Sequence, residues 1–277
     1  MRLWLALSLL FAVPALAQTA AVGEAKRDTI EVQGQKIEVL SHPWEGPNHY
    51  GAALLLPSLG QPADAPGLMA YLREQLPLYG LATFSVAAPE QPAALNFTTK
   101  AEDVSRAGDG SVADKGKEPT KSRSDEEWLE LRKQQRQMIV DSINQVVPLM
   151  SAYTDGWVLV TENQTAALVM EMIAQQQLSR PNLLVVVNPY SADPKHNREL
   201  ANQYGLFSMP VLDLQTPDGS PASLATAAQR QLKIEAIVNK RDVKRSRQHL
   251  LALNLSQPSA YAECLNVIKG MSVVSLR

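Results

Sequence analysis

Mostly apolar runs of five or six residues recur along the chain and are separated by helical patterns. Such runs are typical of strands buried on both faces of a parallel sheet. They occupy residues 51–56, 82–86, 157–161, 182–187 and 209–214. Between the first two, Leu68, Met69, Leu72 and Leu76 recur at helical spacing, and Gly80 follows as a helix stop. The alternation predicts a doubly wound, mostly parallel sheet with helices on both faces.

Other patterns predict the remaining strands and helices. Residues 29–32 and 36–40 alternate apolar and polar side chains around a glycine-containing loop, which predicts an N-terminal antiparallel β-hairpin. The tetrapeptide Ser-Asp-Glu-Glu at 124–127 is a capping box that begins a long helix, whose apolar stripe starts at Trp128 and Leu131 and is predicted to be core. A short strand near 248–253 and a helix around Cys264 complete the prediction.

The first seventeen residues have the pattern of a signal peptide. Arg2 precedes an apolar stretch at 3–13, and Ala15-Leu16-Ala17 is a small-x-small cleavage site. We therefore expect export to the periplasm, cleavage after Ala17 and a single domain over 18–277 with no transmembrane helix. Cys264 is the only cysteine, so no internal disulfide can form, and its apolar surroundings predict a buried thiol.

Residues 91–123 interrupt the apolar pattern with mixed charge and few large apolar side chains. This composition predicts a long, exposed and mobile insertion. Two interpretations remain open, a lid over a site and a tolerated insertion, and the second is the commoner one.

The transition after residues 157–161 is typical of a central strand that turns sharply into a helix. In α/β-hydrolases this turn is the nucleophile elbow, G-x-S-x-G. On that frame Thr161 and Thr165 replace the glycines, and Asn163 replaces the nucleophile. An asparagine cannot form an acyl-enzyme. A shifted register would place Gln164 or Thr165 at the turn, and Thr165 would then offer a hydroxyl.

Ligands of such sheets bind at the carboxyl ends of the strands. The residues predicted to face a ligand there are Ser58, Leu59, Glu162, Asn163 and Asn188.

A displaced catalytic triad is the enzymatic alternative. It would use Ser58 or Thr165 as nucleophile, Asp218 as acid and His249 as base. Asp218 also fits a plain β-turn, and His249 also fits a packed strand position. The loop at 254–258, where the base of such a triad is expected, contains no histidine.

The patterns that signal cofactors, metals or nucleic acid are missing from the sequence. There is no glycine-rich phosphate or dinucleotide motif and no histidine pair at metal-ligand spacing, so we expect no cofactor and no metal. The net charge of −2 argues against a general nucleic-acid binder. A basic region at 230–247 could meet an anionic envelope polymer, lipid or protein, or be a solvated helix end. It contains Arg230, Lys233, Lys240, Arg241, Lys244, Arg245 and Arg247.

The motif Leu-Leu-Leu-Pro-Ser-Leu-Gly-Gln at 54–61 is the most distinctive of several short segments, which also include residues 65–67, 81–86, 210–214, 247–248 and 267–270. In these segments the chain resembles a family of exported bacterial proteins, domain of unknown function 3530. The resemblance implies an α/β-hydrolase-like fold and export, and it implies no activity. We therefore expect a periplasmic α/β-hydrolase-like protein that lacks the serine triad and binds a ligand or partner, with the displaced hydrolase as the alternative.

Overall fold

A computed structural model describes residues 25–91, 124–153, 156–238 and 245–276. The predicted signal peptide at 1–17 and nearly all of the predicted insertion at 91–123 lie outside these residues. Within them, eight strands form one sheet in the order β1-β2-β4-β3-β5-β6-β7-β8. The strands are β1 (Lys26–Val32), β2 (Gln35–His42), β3 (Gly51–Leu56), β4 (Leu81–Val86), β5 (Trp157–Glu162), β6 (Leu183–Val187), β7 (Val211–Gln215) and β8 (Arg247–Leu250).

The pairing confirms a mostly parallel sheet with an antiparallel hairpin at its N-terminal end. Strands β3 to β8 pair in parallel, whereas β1 pairs with β2, and β2 with β4, in antiparallel fashion. The hairpin turn consists of Gln33 and Gly34, with φ of 52° and 77°. Two consecutive positive φ angles are characteristic of the type I′ turn, whose twist matches that of the flanking strands.

Six α-helices lie in the described part of the chain. They are α1 (Leu68–Gln75), α2 (Asp125–Val146), α3 (Asn163–Ala174), α4 (Pro194–Glu199), α5 (Pro221–Ile237) and α6 (Pro258–Ser275). The predicted capping box is present, because the Ser124 hydroxyl accepts from the Glu127 backbone N–H and the Glu127 carboxylate accepts from the Ser124 N–H. Gly80, at φ 82°, ends the short 3₁₀ segment after α1 as predicted.

Several strand boundaries differ from the prediction by one to three residues, among them those of β7 and β8. Strand β7 begins at Val211 rather than Met209, because Pro210 has no N–H to contribute to the ladder. Strand β8 is only four residues long, although the N–H of Leu251 still donates to the Gln215 carbonyl beyond its end.

The apolar side chains form one core on each face of the sheet. On one face α2, α3 and α5 contribute Ile139, Val169 and Ile234 to a cluster that includes Leu54. On the other face, α1 and α6 contribute residues such as Leu72 and Cys264 to a second cluster with Leu55. Cys264 is fully buried among apolar side chains, as predicted, and this burial raises the pKa of its thiol to about 12.

Arg230 is a core residue, which corrects its assignment to a basic surface region. Its side chain is fully buried, and its Nε lies 2.8 Å from the Asp213 carboxylate, which is equally buried. Tyr204 donates to the same carboxylate, and Gln215 accepts from the guanidinium at 2.6 Å. The buried charge is tolerated because it is paired and hydrogen-bonded.

The rest of the basic region is only partly described. Lys233, Arg245 and Arg247 are exposed, and Lys240, Arg241 and Lys244 lie outside the described residues. Within the described chain, no helix combines the length and the apolar character that a membrane crossing requires.

We expect Arg230→Met to lower the free energy of unfolding by about 3–5 kcal/mol, because it leaves the Asp213 carboxylate buried without its countercharge. Chemical denaturation measures the change. Lys233→Met is the matched control, since it removes a charge from the exposed side of the same helix and should shift stability by less than about 0.5 kcal/mol. Equal effects of the two substitutions would contradict the role of the Asp213–Arg230 pair.

Candidate functional site

The turn from β5 into α3 has the geometry of a nucleophile elbow with Asn163 at its apex. Strand β5 ends at Glu162, α3 begins at Asn163, and the φ of Asn163 is +55°. This left-handed conformation is uncommon for residues other than glycine, and asparagine is one of the few that tolerate it. Thr165 lies inside the first turn of α3 and is fully buried. The structure therefore places Asn163, and neither Gln164 nor Thr165, at the turn.

Three of the predicted strand-end residues are in direct contact at this turn. The Ser58 hydroxyl donates to Glu162 Oε1 at 3.0 Å, and the Ser58 backbone N–H donates to the same oxygen at 3.2 Å. The side-chain amide of Asn163 donates to Ser58 Oγ at 2.7 Å. We call this group the elbow cluster. It joins the loop after β3 to the end of β5.

The electrostatics of the elbow cluster differ from those of a hydrolase site. In α/β-hydrolases a backbone N–H of the loop corresponding to that after β3 stabilises the oxyanion of the tetrahedral intermediate. Here the N–H of Ser58 donates to a carboxylate instead. Burial raises the pKa of Glu162, and the hydrogen bonds from Ser58 oppose that rise. When ionised, Glu162 places a negative charge where a hydrolase would stabilise one.

Asp218 and His249, the other members of the predicted displaced triad, make contacts elsewhere. Asp218 accepts hydrogen bonds from Thr216 Oγ1 and from the backbone N–H groups of Leu255 and Ser256. Although burial works in the opposite direction, these bonds lower the pKa of Asp218. The bonds from Leu255 and Ser256 hold the loop before α6. Asp218 itself lies in a turn in which the Gly219 N–H donates to the Thr216 carbonyl.

His249 lies on β8, with its Nε2 at 2.9 Å from the Glu263 carboxylate of α6. Strand β8 is four places from β3 in the sheet, a separation of about 19 Å at the usual strand spacing. Among the described residues, no hydrogen bond connects Ser58 with His249 or Asp218. The structure thus assembles Ser58 with Glu162 and Asn163 rather than with the predicted acid and base.

Asn188, another predicted ligand-facing residue, is buried and satisfied within the protein. It is 5% exposed, with a positive φ of 48°. Its carbonyl oxygen accepts from the Thr216 N–H and from Gln215 Nε2, both at 2.9 Å. Its amide donates to Thr216 Oγ1 at 2.8 Å. Asn188 therefore joins the ends of β6 and β7 and offers little to a ligand.

A cleft of about 240 Å³ begins beside the elbow cluster. It lies between α2, α3 and the segment 191–203, and Leu59 and Gln164, neighbours of Ser58 and Asn163 in sequence, line it. The α2 wall includes Trp128 and Leu131, which are half-buried. The apolar stripe of this helix predicted both as core, and the prediction was wrong at the N-terminal end of α2, where the stripe faces the cleft.

Ion pairs connect the walls of the cleft. Arg132 of α2 lies 3.0 Å from the Glu171 carboxylate of α3 and 3.1 Å from that of Asp193. The second oxygen of Glu171 pairs with Arg136 at 3.1 Å. His196 Nδ1 is hydrogen-bonded to Asp193. We call these five residues the cleft ion-pair network.

Sequence reasoning missed the cleft ion-pair network. Its members are far apart in the chain, and only the i, i+3 spacing of Asp193 and His196 signals a local contact. Although burial opposes the change, the hydrogen bond with His196 lowers the pKa of Asp193. Within the described residues, no group of three potential ligands among histidine, cysteine, aspartate and glutamate is placed to hold a metal ion.

Sequence comparison identifies the family. The chain belongs to the family described as "Protein of unknown function (DUF3530)", whose model matches residues 5–272. A search of the curated proteins found no match.

Solved structures of low sequence identity share the fold. Brefeldin A esterase, described as a bacterial homologue of human hormone-sensitive lipase, aligns with a TM-score of 0.56 and 11% identity over 98% of this chain and 81% of its own. Dienelactone hydrolase from Anabaena variabilis aligns with a TM-score of 0.57 and 12% identity over 92% of this chain and 99% of its own. The esterase domain of a Rhodothermus marinus protein gives 0.55 and 11% over 92% and 100%. At such identities the likeness establishes an α/β-hydrolase-like fold and nothing about activity.

The elbow cluster predicts a pH-dependent effect of Glu162→Gln on stability. Because burial raises the pKa of Glu162, the folded protein holds this proton more tightly than the unfolded chain does. The wild type therefore loses stability relative to the variant as pH rises from about 4.3 through the raised pKa. We expect the variant to melt at a higher temperature than the wild type at pH 8, with the difference shrinking toward pH 4.

Thermal unfolding across this pH range measures the effect. Glu74→Gln, which changes an exposed carboxylate on α1, should show no such trend. A melting-temperature difference between wild type and Glu162→Gln that stays constant with pH would contradict the argument.

Proposed function

We propose that this protein is a non-catalytic binding protein of the cell envelope, built on an α/β-hydrolase-like fold, which holds a ligand or partner beside its elbow. One observation carries the proposal: the elbow position is occupied by Asn163, whose amide is hydrogen-bonded to Ser58. An acyl-transfer enzyme of this fold needs a nucleophile at that position. A carboxamide has no group that can form and release an acyl ester.

The contacts of Glu162 support the same conclusion. Its carboxylate accepts from both the N–H and the hydroxyl of Ser58. An oxyanion near this N–H would compete with Glu162 for the donor, and Glu162, when ionised, would repel the oxyanion. The elbow cluster therefore favours a fixed, unreactive junction between β3 and β5.

A second candidate function rests on the same contacts. A serine hydroxyl that donates to a carboxylate of raised pKa is an arrangement of nucleophile and general base. The hydrolase alternative would thus use Ser58 with Glu162, in place of His249 and Asp218. It is the weaker candidate, because Glu162, its general base, also accepts from the Ser58 N–H, a donor that the reaction would need to stabilise the oxyanion.

The proposal of a cell-envelope location rests on the sequence of residues 1–17. The positively charged start, the apolar stretch and the Ala15-x-Ala17 site have the three-part organisation of a cleavable export signal. The exposed Lys233, Arg245 and Arg247 would offer additional contacts to an anionic partner there.

A fluorophosphonate serine-hydrolase probe separates the two candidate functions. We expect the folded wild type to be labelled no more than a heat-denatured sample, because neither Asn163 nor the hydrogen-bonded Ser58 provides an activated nucleophile. Ser58→Ala is the control, and its labelling should equal that of the wild type. Labelling that requires the folded state and disappears in Ser58→Ala would replace the binding proposal with the hydrolase alternative.

Export predicts a defined mature N-terminus. When the full chain is expressed in a Gram-negative host, we expect osmotic shock to release a protein that begins at Gln18, as measured by intact mass. Ala17→Phe should leave the precursor uncleaved, because the site requires a small residue at this position. Full-length protein retained in the cytoplasmic fraction would contradict the proposed location.

A further inference from the structure

We propose that the cleft beside the elbow binds one unit of a neutral, hydroxyl-rich carbohydrate. The inference rests on the proposed function, since it treats the cleft as a binding site rather than as an active site. Three properties of the cleft support it: its buried charges are paired internally, most of its remaining polar groups are uncharged, and buried leucines form part of its wall.

Most charged residues of the cleft form ion pairs or hydrogen bonds with one another. Arg132 pairs with Glu171 and Asp193, and Asp193 also bonds to His196. The side chains of Arg132, Glu171 and Asp193 are only 10–15% exposed. The other charged residue of the lining, Glu199, is exposed. To pair with Arg132, Glu171 or Asp193, a charged ligand would have to displace a largely buried partner, so this part of the cleft favours a neutral ligand.

Uncharged polar groups supply the hydrogen bonds that a ligand could use. The side chain of Gln203 is half-buried in the lining and makes no hydrogen bond to any described residue. Gln164 donates one amide hydrogen to the Tyr190 hydroxyl, which leaves its oxygen and its other hydrogen. Ser191 Oγ accepts from the Asp193 N–H and retains its own hydrogen to donate. Carboxamides and hydroxyls both donate and accept, as sugar hydroxyls do.

The apolar part of the cleft suits the faces of a sugar ring. Leu59, Leu168 and Leu200, which are 4–7% exposed, are among its lining residues. The Trp128 indole and the Leu131 side chain lie on the α2 wall. A pyranose has hydroxyls around its edge and C–H groups on its faces, so it can pack against apolar and aromatic side chains while its edge is hydrogen-bonded.

The size of the cleft limits the ligand to one small unit. Its volume of about 240 Å³ is below the roughly 300–1,000 Å³ of sites for drug-sized molecules. A single ring, either free or at the end of a longer glycan, matches this volume better than an extended peptide does.

Titration of the purified protein, observed by NMR, tests the inference. The probes are glucose and N-acetylglucosamine, with hexanoate and hexylamine as charged apolar probes of similar size. We expect at least one sugar to bind, and Gln203→Ala to weaken its binding by about three- to tenfold, the loss typical of one hydrogen bond. Asn202→Ala is the matched control, because Asn202 is exposed on the same segment and does not line the cleft.

The inference is overturned if both sugars fail to bind at millimolar concentration, or if the Gln203→Ala and Asn202→Ala variants bind equally well. Tighter binding of hexanoate or hexylamine in the cleft would also overturn it, in favour of a charged ligand. The melting temperature of each variant verifies that it folds. Gln164→Ala provides a second test should Gln203→Ala be unstable.

The fluorophosphonate experiment makes the two failures distinguishable. If no sugar binds and Ser58 remains unlabelled, the carbohydrate inference fails while the proposed binding function stands. If Ser58 is labelled specifically, the proposed function fails, and the comparison of Gln203→Ala with Asn202→Ala then decides the carbohydrate inference by itself.

Discussion

The left-handed backbone at Asn163 is the constraint on which the functional end of the structure depends. Strand β5 lies at the middle of the sheet and must turn into α3, which packs on one face, within a single residue. A residue other than glycine in this conformation costs about 1–2 kcal/mol, so the surrounding contacts must hold it there. Glu162 precedes the helix without capping it, and its carboxylate instead reaches across to Ser58. The turn and the neighbouring loop thus stabilise each other.

The same backbone arrangement can either stabilise an oxyanion or disfavour one, depending on which group accepts from the N–H in the loop after β3. In a hydrolase, that N–H donates to the oxygen on which negative charge develops in the transition state, and this stabilisation accelerates the reaction. In this protein the donor is already bonded to a carboxylate in the resting structure. The similarity to esterases at 11–12% identity therefore establishes the fold of the chain and does not establish a reaction.

The features that the sequence predicted correctly depend on neighbouring residues, and those it missed depend on distant ones. The hairpin turn at Gln33, the capping box at Ser124 and the elbow at Asn163 are each specified within a few residues. Arg230 was misassigned because its countercharge, Asp213, lies 17 positions away and on another element. Arg132 has partners 39 and 61 positions away, so no local pattern could have revealed it.

The position of the cleft relates the elbow to the proposed binding function. Leu59 and Gln164, which follow Ser58 and Asn163 in the chain, line the cleft. The cleft therefore begins at the strand ends, where ligands of this fold class bind. Its walls come from helices that Arg132 already joins through ion pairs. Because these ion pairs already order the walls, binding would cost little conformational entropy of the protein side chains. A cleft whose buried charges are paired with one another can bind a small neutral molecule without a nucleophile at the elbow, as the proposed binding function requires.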